Sequence, residues 1–149
     1  MPTEITETGL SEIIAKMTAF PEKLKEGLKT TMQDALLILW QNVPKYPPPP
    51  DNSTYTRTGT LGRSLGSSEA GGQSGNPDIY TVKELGSARF EAHFGTNLDY
   101  APYVIGDDTQ AHQNSHWWVM GDIAKKAHDR VISLFQMLGA TMARWLDNQ

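Results

Sequence analysis

The sequence predicts an α+β fold: a small antiparallel sheet packed against two long amphipathic helices, one N-terminal and one C-terminal. Three observations predict it. Apolar residues recur at helical spacing before Val43 and again after Val119. Between these stretches, the run Arg89–Phe94 alternates apolar and polar residues. Proline and glycine concentrate in the middle of the chain, where they interrupt helix and favour turns.

The N-terminal helix is read from Leu24, Leu28, Met32, Leu36, Leu39, Trp40 and Val43, which keep one face of a 3.6-residue helix apolar. Lys23, Lys25, Glu26, Lys29 and Gln33 lie mostly off that face. Pro21 suits a first helical turn, where its missing N–H costs nothing. Residues 1–20 are expected to form an N-terminal arm or a short separate helix carrying Leu10, Ile13, Ile14 and Met17. The break is placed at Phe20-Pro21, because a residue preceding proline is driven out of helical geometry.

Helix cannot cross Pro44-Lys45-Tyr46-Pro47-Pro48-Pro49-Pro50. Residues 44–57 are therefore a Pro-rich connection, whose four consecutive prolines form an extended spacer ~12 Å long. A weak strand is placed around Leu61–Ser67. Residues 66–78 read as a mobile Gly/Ser loop with almost nothing to pack. Ile79-Tyr80-Thr81-Val82 and Arg89–Phe94 read as two strands joined by a turn at Gly86-Ser87, with Phe90, Ala92 and Phe94 on the buried face. Tyr100-Ala101-Pro102-Tyr103-Val104 is aromatic and carries a proline, as an edge segment would. The last helix runs from Val119 to Leu146, with Ser115 as a possible N-cap and Asp122–Lys126 as an i,i+4 pair.

All of this fits one domain spanning residues 1–149. The 13 Lys+Arg against 17 Asp+Glu give a net charge of -4, with no basic surplus for coating nucleic acid. Cysteine is absent, which excludes disulfides, thiolate catalysis and thiolate-ligated metals. Met1-Pro2-Thr3-Glu4 lacks the basic start and apolar run of a signal peptide, and no stretch approaches the ~18 apolar residues needed to span a bilayer. The expectation is a protein with no membrane association.

One constellation of candidate catalytic groups stands in the sequence. His112 and His116 have the spacing of helical metal ligands, with Asp107 and Asp108 nearby as oxygen donors. The position a metalloprotease motif would fill with Glu is Gln113. A metal-dependent hydrolase using His112 and His116 stands as the alternative reading; the bland one is a polar loop. Gly59-Thr60-Leu61-Gly62-Arg63-Ser64 lacks the Lys-Ser/Thr ending of a phosphate loop, and neither Ser64 nor Ser115 has a nucleophile-elbow context. His93 and His128 read as surface residues. No enzyme activity, cofactor or metal is therefore assigned.

Aromatic residues stand out instead. Trp117, Trp118, Tyr100, Tyr103 and Tyr46 are the interface candidates, since aromatics dominate protein–protein hot spots. The prolines beside Tyr46 also suit the aromatic groove of a partner, so a small Pro-motif binding module is a further alternative.

Two motif segments carry a resemblance. Thr58, Gly59, Leu61 and Ser64 form a Thr-Gly-x-Leu-x-x-Ser pattern. Phe94, Gly95, Thr96, Tyr100, Ala101 and Gly106 form an aromatic-Gly-Thr segment followed by Tyr-Ala and a glycine. With a helix on either side, this order resembles the tail-component family of long-tailed bacteriophages, described as head–tail joining, neck or tail-completion proteins and similar to the minor tail protein Z group. The resemblance covers roughly residues 20–146. It implies a structural virion protein, assembled in the host cytoplasm as a subunit of the ring connecting capsid to tail. The partners it implies are further copies of the chain and other neck, connector or tail-tube proteins, with passive contact with DNA in a lumen. It transfers no catalytic residue.

Overall fold

The computed structural model describes residues 7–48, 51, 59–86, 89–106 and 117–148, with the backbone alone for 7–14, 16 and 17. Its elements are α1 (Glu7–Gln41), α2 (Thr60–Ser64), β1 (Leu65–Ser67), β2 (Gln73–Pro77), β3 (Ile79–Gly86), β4 (Arg89–Gly95), α3 (Ala101–Ile105) and α4 (Met120–Asp147). The fold is α+β. The strands form two antiparallel pairs, β1–β2 and β3–β4, packed with the N-terminal and C-terminal helices. Among the described residues no helix is long and apolar enough to cross a membrane.

The expected break before Pro21 does not occur, and α1 runs unbroken from Glu7 to Gln41 with Pro21 inside it. An interior proline removes one ladder hydrogen bond and crowds the preceding turn, at a cost of ~3 kcal/mol. Packing on α4 supports the helix around that defect. Phe20 meets Trp145 with ring centroids 6.3 Å apart. One turn or more past the proline, Leu138 lies so close over Gly27 that a Cβ there would stand 2.6 Å from its Cδ1.

The Gly/Ser segment also departs from expectation. Residues 66–78, read as a loop with nothing to pack, supply most of the β1–β2 hairpin, with Leu65 opposite Pro77 and Ser67 opposite Gln73. Ser67 is 1% exposed and its hydroxyl donates to the Gly62 carbonyl at 3.2 Å. The turn is stitched to the chain that follows α1. Gly72 N–H donates to the Val43 carbonyl and Tyr46 N–H to the Glu69 carbonyl, both at 2.9 Å. Gly66 has φ +66°, and a Cβ on it would lie 2.7 Å from the Pro77 nitrogen. Here glycine permits close backbone approach rather than flexibility.

The weak strand placed over Leu61–Ser67 is half helix. Gly59 at φ 70° turns the chain into α2, and Arg63 N–H donates to the Gly59 carbonyl at 3.0 Å. Only Leu65–Ser67 is strand. The aromatic segment Tyr100–Val104, likened to an edge segment, enters α3, with Pro102 in the first turn where no N–H is needed.

The β3–β4 hairpin agrees with the sequence pattern. Its register runs from Ile79 opposite Gly95 to Gly86 opposite Arg89. Phe90, Ala92 and Phe94 are half-buried, while Arg89, Glu91 and His93 are exposed. The turn at 87–88 lies outside the described residues. Trp40 meets Tyr80 edge-on at 5.3 Å, and Lys25 pairs with Glu84 at 2.7 Å, so α1 carries the hairpin along one side.

α4 starts after Val119, whose N–H donates to the Asp122 carboxylate at 3.1 Å. That carboxylate, expected to pair with Lys126, closes the helix start instead. Ser115, the expected cap, lies outside the described residues.

Two glycines provide a contrast. A Cβ at Gly62 would overlap the Tyr46 hydroxyl and ring, whereas one at Gly139, on the open face of α4, meets nothing within 4 Å. Gly62→Ala is expected to destabilise the protein by at least about 1–3 kcal/mol through overpacking. Gly139→Ala is expected to stabilise it by about 0.5–1 kcal/mol through helix propensity. Urea unfolding followed by circular dichroism reads both.

Candidate functional site

The two motif segments, about thirty residues apart in sequence, meet in space. Leu61 and Leu65 pack with Ala101 and Ile105 in one buried cluster, with Phe94, Leu98, Trp117 and Trp118 against it. Ser64 and Thr96 join their hydroxyls at 2.6 Å.

Each hydroxyl has one proton, and this sets the direction of the bonds. Ser64 donates to the Leu61 carbonyl at 2.7 Å, which spends its proton, so the Thr96 hydroxyl faces two acceptors, Ser64 at 2.6 Å and the Asp78 carboxylate at 3.5 Å. Thr96 in turn accepts from the Leu98 N–H at 3.1 Å. A continuous chain of hydrogen bonds therefore runs from the backbone after β4 to the backbone of α2. Asp78 closes the junction from the side. Its N–H donates to the Ser64 carbonyl at 2.7 Å, and its carboxylate accepts from the Asn97 N–H at 3.1 Å. Asp78 was not among the sequence candidates. The signal available for it was its position between Pro77 and a run of strand formers, which suits a residue capping a strand-to-strand corner.

An open depression of about 560 Å³ lies beside this junction, lined by Phe94, Thr96, Asn97, Ala101, Ile105 and Met120 among others. The hydroxyls that approach it bond to one another, to backbone and, from Thr96, to the Asp78 carboxylate at 3.5 Å. The arrangement braces three crossing segments.

The aromatic candidates divide into two groups. Tyr46, Trp117 and Trp118 are half-buried and stack in series, with Tyr46–Trp117 centroids at 5.4 Å and Trp117–Trp118 at 5.8 Å. Tyr46 also donates to the Gly59 carbonyl at 3.3 Å. Trp118 Nε1 is buried with no hydrogen-bond partner among the described residues. These three rings are thus engaged with the chain's own core. Tyr100 and Tyr103 are exposed, at 46% and 58%. Of the motif residues, Gly59, Leu61, Ser64, Phe94, Gly95, Thr96, Ala101 and Gly106 surround the junction, whereas Thr58 lies outside the described residues.

His112, His116, Asp107 and Asp108 lie outside the described residues, as do Pro49, Pro50 and residues 52–57. Among the described residues, no three His, Asp or Glu side chains come together as metal ligands. His93 and His128 are exposed, beside Glu91 at 3.4 Å and Asp129 at 3.2 Å respectively.

Compared with known proteins, the chain matches no family model, no curated protein and no solved structure.

Two measurements test the joint. Ser64→Ala and Thr96→Val are each expected to cost about 1–2 kcal/mol, and the double variant less than their sum. Strict additivity in urea unfolding would show that the two hydroxyls do not act as a pair. Burial raises the phenol pKa values of Tyr46 and Tyr80 above the ordinary value of 10.0. A raised folded pKa means that the folded state holds the proton longer. The stabilisation is therefore complete below pH 10 and is lost as pH rises above it. Melting temperature should fall above pH 10, and the fall should be shallower in Tyr46→Phe and Tyr80→Phe.

Proposed function

We propose that the chain is a structural virion protein of a tailed bacteriophage, a subunit of the neck or tail-completion assembly that connects capsid to tail. The observation that carries this reading is the meeting of the two motif segments. The residues that resemble the tail-component family are the ones that brace the fold, through the Leu61–Ala101 cluster and the Ser64–Thr96 bond. A pattern made of bracing residues suits a protein whose work is assembly.

Surface character supports the same reading. Ile132, Phe135 and Met137 on α4, Tyr100 at the start of α3 and Tyr103 within it place large apolar side chains in solvent. Such side chains suit subunit contacts. The net charge of -4 suits a neck subunit past which DNA slides better than one that grips it.

The test is co-assembly. Tagged protein, co-expressed with the connector and tail-tube proteins of the same phage, is expected to co-purify with at least one of them and to be found in finished particles. A chain that binds none of them and is absent from particles rejects the reading.

A further inference from the structure

We propose that α4 pairs with the α4 of a second copy, antiparallel and about a two-fold axis, along a second seam that the single chain leaves in solvent. The inference goes beyond the neck reading and does not rest on it.

α4 carries two seams side by side. Ile123, Ala127, Val131, Leu134, Leu138 and Met142 recur at 4-4-3-4-4 spacing. They are buried or half-buried, and Leu138 and Met142 close over Gly27 of α1. One position further round the helix, Ala124, His128, Ile132, Phe135, Gly139 and Ala143 repeat the same spacing. Every one of these is exposed, and none is Lys, Arg, Asp or Glu. A repeat of about eleven residues fills three turns, so the second line runs nearly straight for ~29 Å. Beside its first half lies the open trough of about 690 Å³, which Ala35 and Leu39 of α1 complete.

The composition of this seam points to its own copy as the occupant. Its large side chains come first, with Ile132 44% and Phe135 36% exposed. Its small ones follow, and a Cβ on Gly139 would meet nothing within 4 Å. In an antiparallel pair whose axis lies level with residue 137, Phe135 faces Gly139 of the second copy and Ile132 faces Ala143. Large side chains then fall on small ones, which close helix packing requires. The same register sets opposite charges against each other on the exposed flank. Asp129 faces Arg144 of the second copy and Lys125 faces Asp147, and the two-fold axis repeats both pairs. A parallel pair would instead set each of these residues against itself, large on large and like charge on like. The antiparallel contact is isologous, so it closes at two copies and leaves the remaining surface to other partners.

Sedimentation equilibrium of the full chain tests this. The wild type is expected at two copies of 16.5 kDa. Ile132→Glu and Gly139→Trp should each sediment as a monomer with an unchanged circular dichroism spectrum. Position 139 has open space in the single chain, so the second variant decides the matter if the first unfolds. Met137→Glu, at a 65% exposed residue on the opposite side of α4, should remain a dimer. Asp129→Arg and Arg144→Asp should each raise the dissociation constant of the dimer by about tenfold, and combining them should restore it. A monomeric wild type, a folded seam variant that stays associated, loss of the dimer in Met137→Glu, or no recovery in the charge-exchanged double variant overturns the proposal.

Discussion

The hydrogen bond from Trp40 Nε1 to the Gly66 carbonyl, 2.7 Å long, joins the end of α1 to the start of the β1–β2 hairpin. Other contacts converge on the same seam. Trp40 also meets Tyr80, which fixes the second hairpin against the same turn of α1. Past the end of α1, the backbone of Val43 and Tyr46 bonds to that of Gly72 and Glu69. A half-buried indole N–H without an acceptor costs about 1–3 kcal/mol, so the carbonyl it meets has to be held in place. The left-handed backbone at Gly66 and its close approach to Pro77 keep it there.

From that seam the rest of the molecule is braced by hydroxyls and rings. Ser64 and Thr96 link two backbone segments that no secondary structure joins, and Asp78 holds the corner between the two hairpins. Tyr46 closes over Gly62 and meets Trp117, which brings the chain entering α4 onto the same cluster. Polar groups here are spent on structure. Their partners are backbone carbonyls, backbone N–H groups, the Asp78 carboxylate and one another, an arrangement that specifies one geometry.

The α1–α4 pair follows a different principle. Its register is set by Leu138 over Gly27 and by the ring contact of Trp145 with Phe20, and it supports α1 around an interior proline. Because α1 is longer than α4, the pair is offset. A trough lined by Ala35, Leu39, Ala127, Val131 and Phe135 stays open along the N-terminal half of α4.

The sequence by itself determined the two helices, the β3–β4 hairpin and the α+β class, because helical and alternating periodicity are local properties of a chain. It also singled out Leu61, Ser64, Thr96 and Ala101 as motif residues, without indicating that the two segments meet. Tertiary structure decided the remainder. Pro21 stays within a helix because α4 packs beside it. Residues 66–78 form a hairpin because the chain after α1 offers them backbone partners, and Trp117 and Trp118 face the core because Tyr46 and the Leu61 cluster receive them. A glycine-rich stretch has the same composition whether it is loose or closely fitted. What distinguishes the two is which other segment crosses it, a long-range fact that no local pattern contains.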